Sequence, residues 1–120
     1  MTIKSFTDIQ QSRKLAEILP LESADMFYCN GHVSVLQSSD FITVNSRMRE
    51  IYPEAENYIP AWSLSALLSV LPRIGGIKPV LDLETNCIQY PSDIDLSVTA
   101  DNSVDACYEM ILKLHELKML

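Results

Sequence analysis

Glycine is scarce in this chain: Gly31, Gly75 and Gly76 are the only three in 120 residues. Neither a phosphate-cradling loop nor a dinucleotide-binding fingerprint can be written with them, because both need several closely spaced glycines. A G-x-S-x-G nucleophile turn is missing as well. Positive charge is also in short supply, with 9 Lys and Arg against 16 Asp and Glu, a formal net charge of −7. That balance argues against a direct grip on nucleic acid, which needs clustered cations against phosphate. It argues equally against an anionic membrane surface. No apolar run approaches the roughly 20 residues that span a bilayer, and the opening residues 1–10 lack the apolar core of a signal peptide.

The three cysteines, Cys29, Cys87 and Cys107, are odd in number and show no C-x-x-C pair. Neither a disulfide framework nor a zinc or redox motif follows from them. Free thiols in a reducing cytoplasm are the expectation, with the thiols serving as core packing. Cys29 and His32 flank one turn, but two ligands fall short of the three or four that zinc needs. No metal and no cofactor is expected.

What is present is ordinary globular material, 48% hydrophobic and 21% charged, in a length typical of one domain. A chain of this size can bury a core without covalent staples. Thr7 followed by Gln10 fits a capping box. Ile9, Leu15, Ala16 and Leu19 then recur at helical spacing up to Pro20, which predicts a helix over 8–19. Asn30-Gly31 between two runs of β-formers predicts a hairpin with strands at about 25–29 and 32–36. Residues 37–61 carry prolines and mixed charge; Phe41–Asn45 fits a short strand, and the remainder reads as a surface loop with a helical turn.

Residues 58–72 form the most apolar stretch and hold the only tryptophan. Tyr58 to Ala61 reads as a lead-in loop. Ser63 is the natural N-cap, with Trp62 and Leu67 placed as the two partners of a hydrophobic staple. Leu64 to Leu71 then forms a helix stopped by Pro72. Two turns are not stable alone in water, so this helix must be covered, by the core first and by a partner second. Beyond Gly75-Gly76, a second hairpin is expected across Val80–Leu83 and Ile88–Tyr90, with a further strand at 95–99. Asp101 or Asn102 caps a final helix over 103–118, whose stripe is Val104, Cys107, Tyr108, Ile111, Leu114 and His115. The order helix, Leu-Pro, strand, turn, strand thus occurs twice. The expected architecture is α+β: helix-hairpin-helix-hairpin-helix, with an antiparallel sheet of four to five strands and three helices mainly on one face.

Between Pro79 and Leu112 there are seven carboxylates and no Lys or Arg. Asp82 and Glu84 alternate on one predicted strand and so share a face, as do Asp93 and Asp95. An EF-hand starting at Asp93 fails, since its central position is not glycine and its twelfth is Val104. Solvated carboxylates on a face open to a basic partner are the expectation. The candidate interaction surface is therefore Trp62, Leu64, Leu68, Asp82, Glu84, Asp93 and Asp95.

Pro60 to Ser63, Leu71-Pro72, and Asp101 to Ala106 (Asp-Asn-x-x-Asp-Ala) together resemble a group of short hypothetical bacterial proteins often associated with prophage-like or conjugative elements. The resemblance covers about the second half of the chain and implies no catalytic residue. Three expectations follow for function. The first is a non-enzymatic accessory or protein-interaction protein of a mobile element, with an unidentified protein partner or itself as a homodimer. The second is an acidic inhibitor that mimics nucleic acid toward a host protein, and the third is a small enzyme with an unrecognised site.

Overall fold

A computed structural model describes residues 4–29, 32–35, 58–91 and 95–120. In chain order these form α1 (Ile9–Ile18), a short 3₁₀ turn (Leu21–Ser23), β1 (Met26–Cys29), β2 (His32–Val35), β3 (Tyr58–Ala61), α2 (Leu64–Val70), β4 (Val80–Asp82), β5 (Cys87–Pro91), β6 (Asp95–Thr99) and α3 (Ser103–Glu116). The class is α+β, as expected. The described strands do not join in one sheet. They form two antiparallel three-stranded sheets, ordered β2-β1-β3 and β4-β5-β6. The reason lies in the free side of each hairpin. β3 occupies the open side of β1, with Phe27 opposite Pro60, and β6 occupies that of β5, with Ile88 opposite Val98. The two halves also differ in topology, since the third strand joins the first strand of one hairpin and the second strand of the other.

Residues 58–61, expected as a loop, are thus a strand. Pro60 argued against pairing, but β3 is an edge strand, where a missing N–H is tolerated. The strand expected at Phe41–Asn45 and the Asn30-Gly31 turn lie outside the described residues. Cys29 pairs with His32, as a two-residue hairpin requires.

α1 starts one residue later than expected. Asp8 is its N-cap and shares the capping box with Gln11: the Gln11 N–H donates to Asp8 Oδ1 at 2.8 Å, and the Asp8 N–H to Gln11 Oε1 at 3.1 Å. Thr7 turns inward instead and is fully buried. Pro20 ends the helix as read, leaving Leu19 in extended geometry. In α3 the cap is Asn102, which accepts the Asp105 N–H at 2.8 Å. Its buried face is Val104, Ala106, Cys107, Met110, Ile111 and Leu114. Tyr108 is half-buried and His115 is exposed, so the face is rotated from the expected stripe. The cause is that α3 is covered on two sides, by β5 and β6 and by α2.

One core cluster runs through Leu15, Leu19, Trp62, Leu67, Leu71, Ile88, Tyr90, Leu96 and the buried face of α3. A smaller one joins Met26, Tyr28 and Ala61, with Phe6, Ile9, Val33 and Ile59 packed against it. The helices are therefore shared between the sheets. α1 packs on β3, whereas α3 lies on the inner face of the second sheet.

Candidate functional site

Residues 4–7 precede α1 and touch the start of each of the three described α-helices. Phe6 pairs with Ser63 as an isolated antiparallel bridge, and the Leu64 N–H donates to the Ser5 carbonyl at 3.1 Å. The Thr7 N–H donates to the Trp62 carbonyl at 3.0 Å, while the Trp62 N–H returns to Thr7 Oγ1 at 3.2 Å. Thr7 Oγ1 also shares a 2.7 Å bond with Ser12 Oγ, and the Tyr28 hydroxyl donates to the Thr7 carbonyl at 2.7 Å. The Trp62 indole N–H finds Ser23 Oγ at 2.9 Å. Buried polar groups are expensive when left alone; here Thr7, Ser12 and Trp62 satisfy one another.

Each helix start also carries a carboxylate, where the helix dipole favours an anion. Asp8 caps α1. Asp25 accepts the Ser63 N–H at 2.8 Å and the Ser63 hydroxyl at the start of α2. Asp105 in α3 accepts Lys4 Nζ at 2.8 Å and Gln11 Nε2 at 2.8 Å on one oxygen, and Asn102 Nδ2 at 2.9 Å on the other. Burial disfavours the charged form of both Lys4 and Asp105. The bonds and charges around them outweigh it, so Lys4 is held above and Asp105 below its ordinary range. Asp105 is therefore not a free carboxylate of an acidic face, as its place in the run from Pro79 to Leu112 suggested. This node is structural: its donors and acceptors are spent on one another.

The open surface lies elsewhere, along the β4–β5 hairpin. β4 is an outer strand of its sheet. Its side chains alternate, with Val80 and Asp82 exposed and Leu81 turned toward the core. The strand ends at Asp82, so Leu83 leaves the alternation and is 71% exposed; Val80 is 52% exposed and Ile77 44%. The far side of the turn is fixed. Asn86 adopts a positive φ of 55°, which Asn tolerates. It donates to the Asp101 carbonyl at 3.1 Å and accepts the Ser103 hydroxyl at 3.1 Å.

Two concavities flank β4. One of about 630 Å³ is lined by Val80, Leu81, Asp82, Leu83, Glu84, Thr85, Cys87 and Gln89. The other, of about 330 Å³, is lined by Leu68, Ser69, Lys78, Pro79 and Leu81. The first places Cys87 beside Asp82 and Glu84. A reactive thiolate needs a neighbouring cation or helix N-terminus, and this lining supplies two carboxylates and no cation, which suits contact better than covalent chemistry. Among the described residues no group of three or more His, Cys, Asp and Glu is placed to hold a metal ion.

The predicted surface residues thus separate. Trp62 is 0% exposed, so it drops out of any surface and serves as core. Leu64 and Leu68 are half-buried against the main cluster, while Ser65 and Ser69 face water. Leu68 adjoins β4 through the concavity it shares with Leu81. Asp82 and Glu84 are exposed neighbours, but not two places on one strand: Glu84 sits in the turn, its N–H bonded to Asp82 Oδ1 at 2.9 Å. Asp93 and the side chain of Asp95 lie outside the described residues; the Asp95 backbone opens β6 opposite Pro91. Sequence reading missed Ile77, Val80 and Leu83 as surface. The turn signal in Glu84-Thr85-Asn86 could have found Leu83, since it shortens the strand.

Among the described residues no helix is long and apolar enough to cross a membrane. The two longer motifs singled out in the second half of the sequence have structural roles here. Pro60 to Ser63 form an edge strand, a buried indole and a helix cap, and Asp101 to Ala106 start α3 with its cap and the Asp105 node. No family model, curated protein or solved structure matches the chain.

Proposed function

We propose that this chain is a non-enzymatic protein-interaction protein, a cytoplasmic accessory of a mobile element, and that it engages its partner through the β4–β5 hairpin. The observation that carries the reading is the exposure of Ile77, Val80 and Leu83 around one edge strand. Exposed apolar clusters mark contact surfaces, and an edge strand is a template for another strand. Asp82 and Glu84 add charge that selects among partners. The mobile-element part rests on the sequence resemblance alone. The nucleic-acid mimic has less support, because three of the 16 acidic residues, Asp8, Asp25 and Asp105, are committed to helix starts.

A photo-crosslinking amino acid at Leu83, compared with one at exposed Glu17 on α1, tests the reading in the producing cell. A discrete adduct is expected at Leu83 alone, and it should fade when Val80→Asp is added. Equal adducts at both positions, or none at Leu83, would overturn it.

A further inference from the structure

Building on the hairpin reading, we propose that the occupant of this surface is a second copy of the same chain, paired antiparallel, β4 to β4, about a two-fold axis at Val80. An antiparallel strand with one neighbour turns alternate N–H and C=O groups away from it, and among the described residues β4 has β5 on one side only. What selects a second copy is the pattern around that edge. When Lys78-Pro79-Val80-Leu81-Asp82, which is β4 and the two residues before it, is laid against its own reverse about Val80, the exposed Val80 meets its own copy. Ile77 and Leu83 flank the strand, Ile77 bonded to Ile74 and Leu83 in the turn, and lie beside the paired segment rather than in its ladder. In the same register Lys78 faces the partner's Asp82 and the reverse, two symmetric opposite-charge pairs. Leu81 lies opposite the partner's Pro79, extending the half-buried apolar row that already includes Leu68.

Shifting the axis to Leu81 destroys this match. Val80 would then face the partner's Asp82, an apolar residue against a carboxylate at both symmetric places. Directly opposed cross-strand residues are the unit of sheet stabilisation, and mismatches cost comparable amounts. Pro79 precedes β4 and in this register stands opposite the partner's Leu81, where its carbonyl can accept but it has no N–H to donate. The pairing is isologous, so it closes at two copies and leaves β6 as the outer strand of a six-stranded sheet.

Sedimentation equilibrium on the purified protein tests the pairing. Wild type is expected to dimerise. Val80→Glu, Lys78→Asp and Asp82→Lys, all at exposed positions, should each weaken it about tenfold or more, as attraction becomes repulsion at two symmetric places. The double variant K78D/D82K restores the pairs with their signs exchanged and should recover dimerisation to within about threefold of wild type. Far-ultraviolet circular dichroism confirms that each variant is folded. A wild type that stays monomeric to about 1 mM, or a dimer indifferent to the charge exchange, overturns the proposal. A monomer that still yields a Leu83 adduct with a different protein sinks self-pairing and leaves the interaction reading standing; a monomer with no Leu83 adduct sinks both.

Discussion

At the scale of single residues, Trp62 is where burial and hydrogen bonding coincide. It is 0% exposed and bonded through both its backbone and its indole N–H. Trp62→Ala should lower unfolding stability by about 3–5 kcal/mol in a urea titration, the usual range for emptying a large aromatic site. Cys107 is fully buried, and burial pushes its thiol up to about 12. In native protein at pH 8 it should resist alkylation while half-buried Cys87 reacts, and it should label at the rate of a free thiol only in denaturant; mass spectrometry of the modified peptides decides this. Caps show what a single sequence reveals at this scale. Ser63 and Asn102 are legible because each precedes an apolar run without a rival. At the first helix both Thr7-x-x-Gln10 and Asp8-x-x-Gln11 satisfy the capping pattern. The choice is made by Thr7's buried hydroxyl, which Trp62 engages from 55 positions away, and no local pattern contains that contact.

At the scale of elements, the starts of α1 and α3 are joined through Asp105. Replacing Asp105 by Ala leaves Lys4, Gln11 and Asn102 without their shared acceptor and should cost about 2 kcal/mol, the range for hydrogen bonds to a charged group. The pH dependence follows from the shift directions. Asp105 is held below its ordinary value, so its contribution is complete above the ordinary carboxylate range and is lost as pH falls through the lowered native value. Lys4 is held above its ordinary value, so its contribution is complete below that value and is lost only as pH rises past it. Both are in place at neutral pH. Acid unfolding curves should therefore differ between wild type and Asp105→Asn below about pH 4 and run parallel above it. Among the described residues the elements were largely readable from periodicity, caps and turn residues: the three α-helices and the paired strands β1–β2 and β4–β5 lie close to where spacing puts them. β3 escaped because its one proline speaks against pairing until its neighbours are known. The early end of β4 escaped because Leu83 continues an alternation that the turn interrupts.

At the scale of the whole molecule, the expectation of one sheet failed because sequence order does not say which strand takes the open side of a hairpin. For the first sheet the assignment is decided by long-range pairing, Phe27 with Pro60, whereas in the second the next strand in sequence takes the open side, Ile88 with Val98. Net charge also acts at this scale. Two copies at −7 each repel over a distance set by salt. The two exposed cross-copy pairs contribute little individually, so the long-range term dominates the salt response. Dimerisation should therefore strengthen as ionic strength rises from about 10 to 150 mM, where the screening length falls from roughly 30 to 8 Å; sedimentation in both buffers checks this, and weaker association in salt would contradict it.

The tie of residues 4–7 to all three helix starts has a consequence for biosynthesis. Lys4 leaves the ribosome 101 residues ahead of Asp105, the carboxylate that holds it, so this segment emerges long before its last binding site does. Nascent chains arrested short of α3 should hold residues 5–7 through β1, β3 and α2, with Lys4 lacking Asp105 and this segment more open to protease, and closure of the long Lys4–Asp105 loop should come late and slowly, as distant contacts do. A rigid fusion placed directly against Lys4 would interfere with that last step, whereas the same fusion beyond α3 would leave it free.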